Sequence, residues 1–271
     1  MDIEVIVSTM YQENYNLLKK LNLKTDAVII NQCDSDNIEQ FEYLGHRIKW
    51  INSTERGLSK SRNMALRYAT ADIVILADED EELCDDYNRI ISDVFEKYED
   101  AIFVGFQVEG IEKNFKIYKG RESKIGMLRS MRMSSVELAF RRSEIYDAGV
   151  KFNEHIGAGT KYLLGEENAF LFSLLRYNKS AYYVPKVIAK IHIGDSTWFT
   201  GYNKSYMIAR GAAFTAMSKT LSGILIFQFA LRHKNLYKDQ MSVLNAIKYM
   251  YTGKKLYIED IKKDNNEGKE I

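Results

Sequence analysis

Apolar residues along the chain fall into short runs separated by polar clusters, and the spacing of those runs predicts alternating strands and helices. Ile3-Glu4-Val5-Ile6-Val7 is rich in strand formers and closes at the polar pair Ser8-Thr9; Leu17, Leu18 and Leu21 follow at helical spacing. Ala27-Val28-Ile29-Ile30 is a second strand signal that stops at Asn31-Gln32-Cys33-Asp34-Ser35-Asp36, a cluster of turn formers. Arg47-Ile48-Lys49-Trp50-Ile51 predicts a third strand, and beyond a loop at Gly57 the residues Met64, Ala65 and Tyr68 mark a helix. Ile73-Val74-Ile75-Leu76-Ala77 is apolar at consecutive positions, as in a strand covered on both faces, and it ends in Asp78-Glu79-Asp80-Glu81-Glu82. Asp85 or Asp86 caps a predicted helix whose Tyr87, Ile90, Ile91, Val94, Phe95 and Tyr98 share one face, and residues 101–108 predict another strand. Such repeats imply an α/β fold with a mostly parallel sheet flanked by helices, in which ligands bind outside the carboxyl ends of the strands. The polar loops after Val7, Ile30, Ile51 and Ala77 all fall at that edge.

The second half is less regular: residues 137–141 predict a strand, 166–177 a helix, and 182–193 extended chain around the only proline, Pro185. Residues 212–231 are the most apolar long segment, but Ser218, Lys219 and Ser222 interrupt it and its cleaner part is too short to span a bilayer. Residues 262–270 are polar and aperiodic, which predicts a frayed, flexible tail. There is no internal repeat.

Composition narrows the classes. Of 271 residues, 46% are hydrophobic and 28% charged, ordinary for a soluble globular chain. Lys and Arg total 38 against 37 Asp and Glu, so no global basic field favours nucleic acid as a partner. Two cysteines, Cys33 and Cys84, supply neither a disulfide framework nor a structural zinc site and point to a reducing compartment. The acidic start Met1-Asp2-Ile3-Glu4-Val5 lacks the features of a signal peptide, which predicts a cytoplasmic location.

Candidate chemistry sits at the predicted carboxyl edge. In extended chain, residues two apart point the same way, so Asp78 and Asp80 can face one ligand while Glu79 faces elsewhere. Two hard oxygen donors suit Mn²⁺ or Mg²⁺ bound together with substrate phosphates; the alternative is a solvated acidic loop. Upstream, Glu55-Arg56-Gly57-Leu58-Ser59-Lys60-Ser61-Arg62-Asn63-Met64-Ala65-Leu66 sets a glycine, small hydroxyl residues and an Arg-Asn pair at the mouth of a helix. A helix amino terminus favours anions and Arg62 adds a fork of donors, although an exposed first turn would look the same. No P-loop, dinucleotide-binding or H-E-x-x-H motif is present.

The G-x-S-x-x-R-N-x-A-L segment followed one strand later by an acidic triad resembles the donor-binding half of family-2 glycosyltransferases, whose fold is GT-A. Further matches follow in order. The turn at Ser8-Thr9 resembles the end of the family's opening strand, and Asn31 and Gln32 stand where its base-binding loop more commonly carries two acids. Residues 137–142 resemble the strand before the acceptor region. Gly157-Ala158-Gly159 and Gly165-Glu166-Glu167-Asn168 resemble the family's Gly-x-Gly and Glu-Asp pair. The resemblance covers about residues 1–200 and implies a donor half (1–110), an acceptor half (111–200), a helical extension (201–260) and the tail (261–271). It implies donor contacts from Ser8, Asn31, Gln32, Gly57, Arg62, Asn63 and Asp78, and a metal held by Asp78 and Asp80. Glu167 would be the base, with Glu166 as competitor, and His192 lies where some members place a further ligand. Trp198, Phe199, Tyr202 and Tyr206 would stack an acceptor or pack a core.

The resulting expectation is an inverting, metal-dependent transfer of a sugar from a nucleotide-diphosphate sugar to a saccharide or lipid-linked saccharide in surface-polysaccharide synthesis. A sugar nucleotidyltransferase and a non-catalytic nucleotide-sugar-binding subunit are the alternatives. Phe214, Met217, Leu221, Ile224 and Leu225 predict an apolar face, followed by Arg232, His233, Lys234 and Lys238. That pattern fits a helix on the anionic inner face of the cell membrane, a helix packed on the catalytic domain, or an oligomer interface.

Overall fold

The computed structural model describes residues 1–177, 179–193 and 201–267. The chain divides into two units: Met1–Arg56, Lys60–Lys151 and Ser173–Asp195 make the first, and Gly57–Ser59, Phe152–Phe172 and Ser196–Ile271 the second.

The first unit is built on one ten-stranded sheet. Its strands are β1 (Ile3–Met10), β2 (Asp26–Gln32), β3 (Asn37–Tyr43), β4 (His46–Ser53), β5 (Ile73–Asp78), β6 (Glu81–Leu83), β7 (Ala101–Gly110), β8 (Ser123–Lys124), β9 (Leu138–Arg141) and β10 (Ser180–Ile191). Their order is β3-β4-β2-β1-β5-β9-β7-β10-β6, with β8 paired to β10. The run β4-β2-β1-β5 is parallel throughout, as are β7 and β10, while β9 enters antiparallel between β5 and β7. Val5, Val7, Ile29, Ile73 and Ile75 are fully buried, which is why β2 and β5 read as apolar runs and β1 as one broken only by the buried Glu4. Around the sheet lie α1 (Asn16–Lys20), α2 (Leu58–Tyr68), α3 (Tyr87–Lys97), α4 (Met127–Ser130) and α5 (Arg142–Asp147). Helix α3 buries Tyr87, Ile91, Val94 and Phe95, the face its spacing predicts.

Two strands escape the apolar pattern. β3 is an edge strand whose residues are exposed or half-buried, joined to β4 by a two-residue turn at Leu44 (φ 52°) and Gly45 (φ 80°). β6 carries Glu81 and Glu82, part of the expected acidic loop, but it pairs antiparallel with β10 and buries Glu81.

In the second unit, α6 (Glu166–Leu174) starts from its Phe152–Phe172 segment, and α7 (Lys204–Met217), α8 (Ser222–Arg232), α9 (Lys234–Tyr237) and α10 (Val243–Glu267) follow. The apolar stretch 212–231 is therefore two helices. Ser218 turns extended (φ −161°, ψ 113°), and its Oγ accepts the Leu221 N–H at 3.2 Å at the start of α8. Gly211 and Gly253 set the spacing of α7 and α10: a Cβ on Gly211 would lie 1.9 Å from the Met250 carbonyl oxygen, and one on Gly253 1.9 Å from that of Ile208. α10 runs to Glu267, so most of the segment expected to fray is helical; residues 268–271 lie outside the described residues. Among the described residues, no helix is long and apolar enough to cross a membrane.

Candidate active site

Four parallel strands deliver their last residues to one edge of the first unit. Ser8 is in register with both Ile30 and Asp78, Thr9 with Asn31, Asn31 with Asn52, and Gln32 with Ser53. Ser8, Asn31, Gln32 and Asp78 are thus brought together on the edge that the sequence predicts. Helix α2 adds its first turns to the same place. Ser61 Oγ donates to Ser8 Oγ at 2.8 Å, and Arg62 Nη2 lies 3.3 Å from Asp78 Oδ1. Arg62 and Asn63 are 3% and 8% exposed, so an exposed first turn is ruled out for them. A guanidinium placed so deeply needs a carboxylate, and Asp78 supplies it.

The acidic cluster is shaped by a turn. β5 ends at Asp78, and Glu79-Asp80 turn the chain back into β6, so strict alternation stops there. Glu79 accordingly does not point away; its carboxylate accepts hydrogen bonds from Thr9 Oγ1 and from Gln12 Nε2. Asp78 accepts Ser135 Oγ at 3.4 Å, while its backbone N–H donates to Glu81 Oε1 at 2.7 Å. Burial, then the charge of Asp78, raises the Asp80 carboxyl above its ordinary range. Glu81 is pushed well above the carboxylate range by the same two causes, and its Oε2 has no partner.

Asn31 is tied to the loop after β1 and to the end of β4. Its Oδ1 accepts the Gln12 N–H at 2.9 Å, and its Nδ2 donates to the Gln12 carbonyl at 3.0 Å and to Asn52 Oδ1 at 2.9 Å. These contacts fix the amide's orientation and clamp the loop after β1. Beside it, Arg56 joins three strand ends: its Nη2 lies 2.7 Å from Asp34, its Nη1 donates to the carbonyls of Ser53 and Thr54, and its guanidinium lies 5.4 Å from the Tyr11 ring centroid. Tyr11 is 56% exposed and holds φ at 50°, a conformation uncommon for a tyrosine. Neither residue carries a periodicity signal; their positions directly after β1 and before Gly57 are the only cue in the sequence.

His192 is exposed, its backbone N–H donates to the Asp80 carbonyl at 3.2 Å, and its Nδ1 lies 2.7 Å from Glu112 Oε1. Among the described residues, no three His, Cys, Asp or Glu side chains gather into a metal cage. The aspartate pair fits Mn²⁺ or Mg²⁺ chemically: both side chains are hard oxygen donors, and the charge of Asp78 beside Asp80 is what a cation would relieve.

In the second unit, Glu166 and Glu167 open α6, where carboxylates favour the positive end of the helix dipole. Glu166 is buried and Glu167 half-buried. The preceding glycines are required by geometry. Gly157 (φ 104°) lies under Glu166, whose Cδ would be 2.9 Å from a Cβ there, and Gly165 (φ 94°) faces Ala213 with room for no side chain. The Gly157-Ala158-Gly159 loop is tied to Gly57–Ser59 by Leu58 N–H to the Ala158 carbonyl at 3.0 Å and Ser59 Oγ to the Ile156 carbonyl at 2.9 Å. Tyr202 and Tyr206 meet edge-on at 5.0 Å; Trp198 and Phe199 lie outside the described residues.

The model for Glycosyl transferase family 2 matches residues 13–159. No curated protein matches the sequence significantly. Among solved structures, S. aureus TarS 1-349 is similar at a TM-score of 0.61 with 15% identity, covering 94% of this chain and 92% of that one. Its complexes with UDP (0.62, 14% identity, 89% and 76% covered) and UDP-GlcNAc (0.61, 14% identity, 94% and 92% covered) are similar in the same way. At these identities the likeness speaks for the fold, which is GT-A.

Proposed function

The chain belongs to glycosyl transferase family 2, and from that premise we propose that it moves a sugar from a nucleotide-diphosphate sugar to a hydroxyl acceptor with inversion at the anomeric carbon. The observation that carries this reading is Asp78: the last residue of β5, in register with Ser8 and paired with the buried Arg62 of α2. A diphosphate at this edge meets the Arg62 guanidinium and the Ser8 and Ser61 hydroxyls. The TarS structures with UDP and UDP-GlcNAc make uridine diphosphate sugars the first donors to try. Tyr11 offers an open ring face for a planar base, beside the Arg56–Asp34 pair.

Asp78 and Asp80 would hold Mn²⁺ or Mg²⁺, which when bound neutralises charge on the departing diphosphate. Glu167, the more open of the two glutamates, takes the acceptor hydroxyl proton. The acceptor oxygen then forms its bond to the anomeric carbon as the bond to the diphosphate oxygen breaks, and that electron pair leaves on the nucleoside diphosphate. Glu166, fixed over Gly157, is a positioning residue. The acceptor we favour is a saccharide or lipid-linked saccharide of a surface polymer, met in the cytoplasm. The reading is tested by nucleotide release from a panel of UDP-, GDP- and dTDP-sugars with Mn²⁺ or Mg²⁺. Metal-dependent release lost in Glu167→Gln and Asp80→Asn supports it, and saturable binding without release in the presence of acceptors overturns it in favour of a non-catalytic binder.

A further inference from the structure

Helix α8 is apolar on both sides. Leu225, Ile226 and Ala230 form its buried face, at most 5% exposed. On the opposite face, Ile224 (67% exposed), Phe227 (48%) and Leu231 (61%) stand at three- and four-residue steps, with Leu221 (42%) at the helix start. A helix at a protein surface ordinarily turns charge outward, yet α8 has no charged residue before Arg232, its last. The patch continues onto α10: Tyr251, itself exposed, meets the Phe227 ring at 6.2 Å, and its hydroxyl closes over Gly223. The outer face of α10 runs on through Leu244, Lys248, Tyr251 and Lys255, all exposed.

Charge decides what covers this face. From residue 201 to residue 258 the only acid is Asp239, against nine lysines and arginines from Lys204 to Lys255, in a chain whose formal net charge is +1. Lys219, Arg232, Lys234 and Lys238 are exposed around the two ends of α8. An apolar stripe rimmed by cations is the arrangement of a helix lying in a lipid interface, with its hydrocarbon face among acyl chains and its ammonium groups at anionic headgroups. A second copy of the chain would bring a like-charged surface against it.

We propose that the α8–α10 face binds anionic membrane surfaces and holds the protein there peripherally. The proposal is independent of the donor chemistry. Its test is co-sedimentation of the full chain with vesicles of phosphatidylcholine alone or mixed with phosphatidylglycerol, at low and high salt. The expected result is binding to the mixed vesicles only, weakened by salt, and reduced about tenfold or more in Ile224→Ser/Leu231→Ser and in Lys219→Glu/Lys234→Glu/Lys238→Glu. Both variants change exposed side chains only, and an unchanged melting temperature shows that each is folded. Absence of binding to mixed vesicles, binding that ignores both variants, or a concentration-dependent dimer dissolved by Ile224→Ser/Leu231→Ser would each overturn the proposal, the last by assigning the face to a second copy.

Discussion

Replacing Asn31 by aspartate, the acid more common at this place in the family, is predicted to damage the protein. Asn31 is 1% exposed, and its Nδ2 is the donor to both the Gln12 carbonyl and Asn52 Oδ1. A carboxylate cannot donate, so both hydrogen bonds are lost, about 1 kcal/mol each, and an anion faces two acceptor oxygens. An uncompensated buried charge costs about 3–5 kcal/mol, which the group evades in part by taking up a proton. The sum at neutral pH is about 4 kcal/mol, or on the order of 10 °C in melting temperature for a chain of this size. The buried aspartate titrates higher in the folded than in the unfolded state, so the deficit grows as pH rises above about 4 and narrows on acidification. Melting of Asn31→Asp and wild type from acidic to neutral pH, with donor KM at neutral pH, measures this. Wild-type stability together with a lower KM would show that Asn31 reads the ligand and that the Gln12 clamp is misassigned.

Three further outcomes follow from particular contacts. Asp260 accepts from Lys161 at 2.9 Å and Tyr162 at 2.7 Å, which hold its carboxyl below the usual range. Its contribution is present above its unfolded pKa of about 4 and lost as pH falls through the lower folded value, so Asp260→Asn should lose about 1 kcal/mol near neutrality, with the gap closing in acid by pH-dependent melting. Gly253→Ala drives a methyl group into the Ile208 carbonyl and should cost about 3 kcal/mol, read in the same melt; a change under about 0.5 kcal/mol would contradict the α7–α10 packing. Gly157→Ala combines a strained φ of 104° with a clash against Glu166 and should cost about 1–2 kcal/mol and lower kcat more than it raises KM.

What the sequence showed plainly was what periodicity and strand ends encode. Buried parallel strands announce themselves as apolar runs, so β1, β2, β5 and β7 could be read directly, and with them the edge holding Ser8, Asn31, Gln32 and Asp78. β3 lies half-exposed at the sheet edge and β6 hides a buried glutamate in an acidic stretch, so neither gives an apolar signal. The expected apolar face of 214–225 mixed two environments, because the polar interruption at Ser218 and Lys219 ends one helix before the next begins: Phe214, Met217 and Leu225 are buried, whereas Ile224 faces out. Residue roles were least legible where side chains meet across loops. Glu79 turning toward Thr9, Asn31 clamping Gln12, and Arg56 joining Tyr11 to Asp34 all depend on strand register, which spacing alone does not supply.

The central proposal is that this chain transfers a sugar, with Asp78 and Asp80 serving the donor and Glu167 acting as the base. Turnover of UDP-sugars by wild type, Asp80→Asn and Glu167→Gln, each with donor affinity measured alongside, tests it most directly. The account predicts that Glu167→Gln keeps donor binding while kcat falls about 10²–10⁴-fold, and that Asp80→Asn loses metal-dependent donor binding. Undiminished turnover in Glu167→Gln, or donor affinity indifferent to both metal and Asp80, would contradict it.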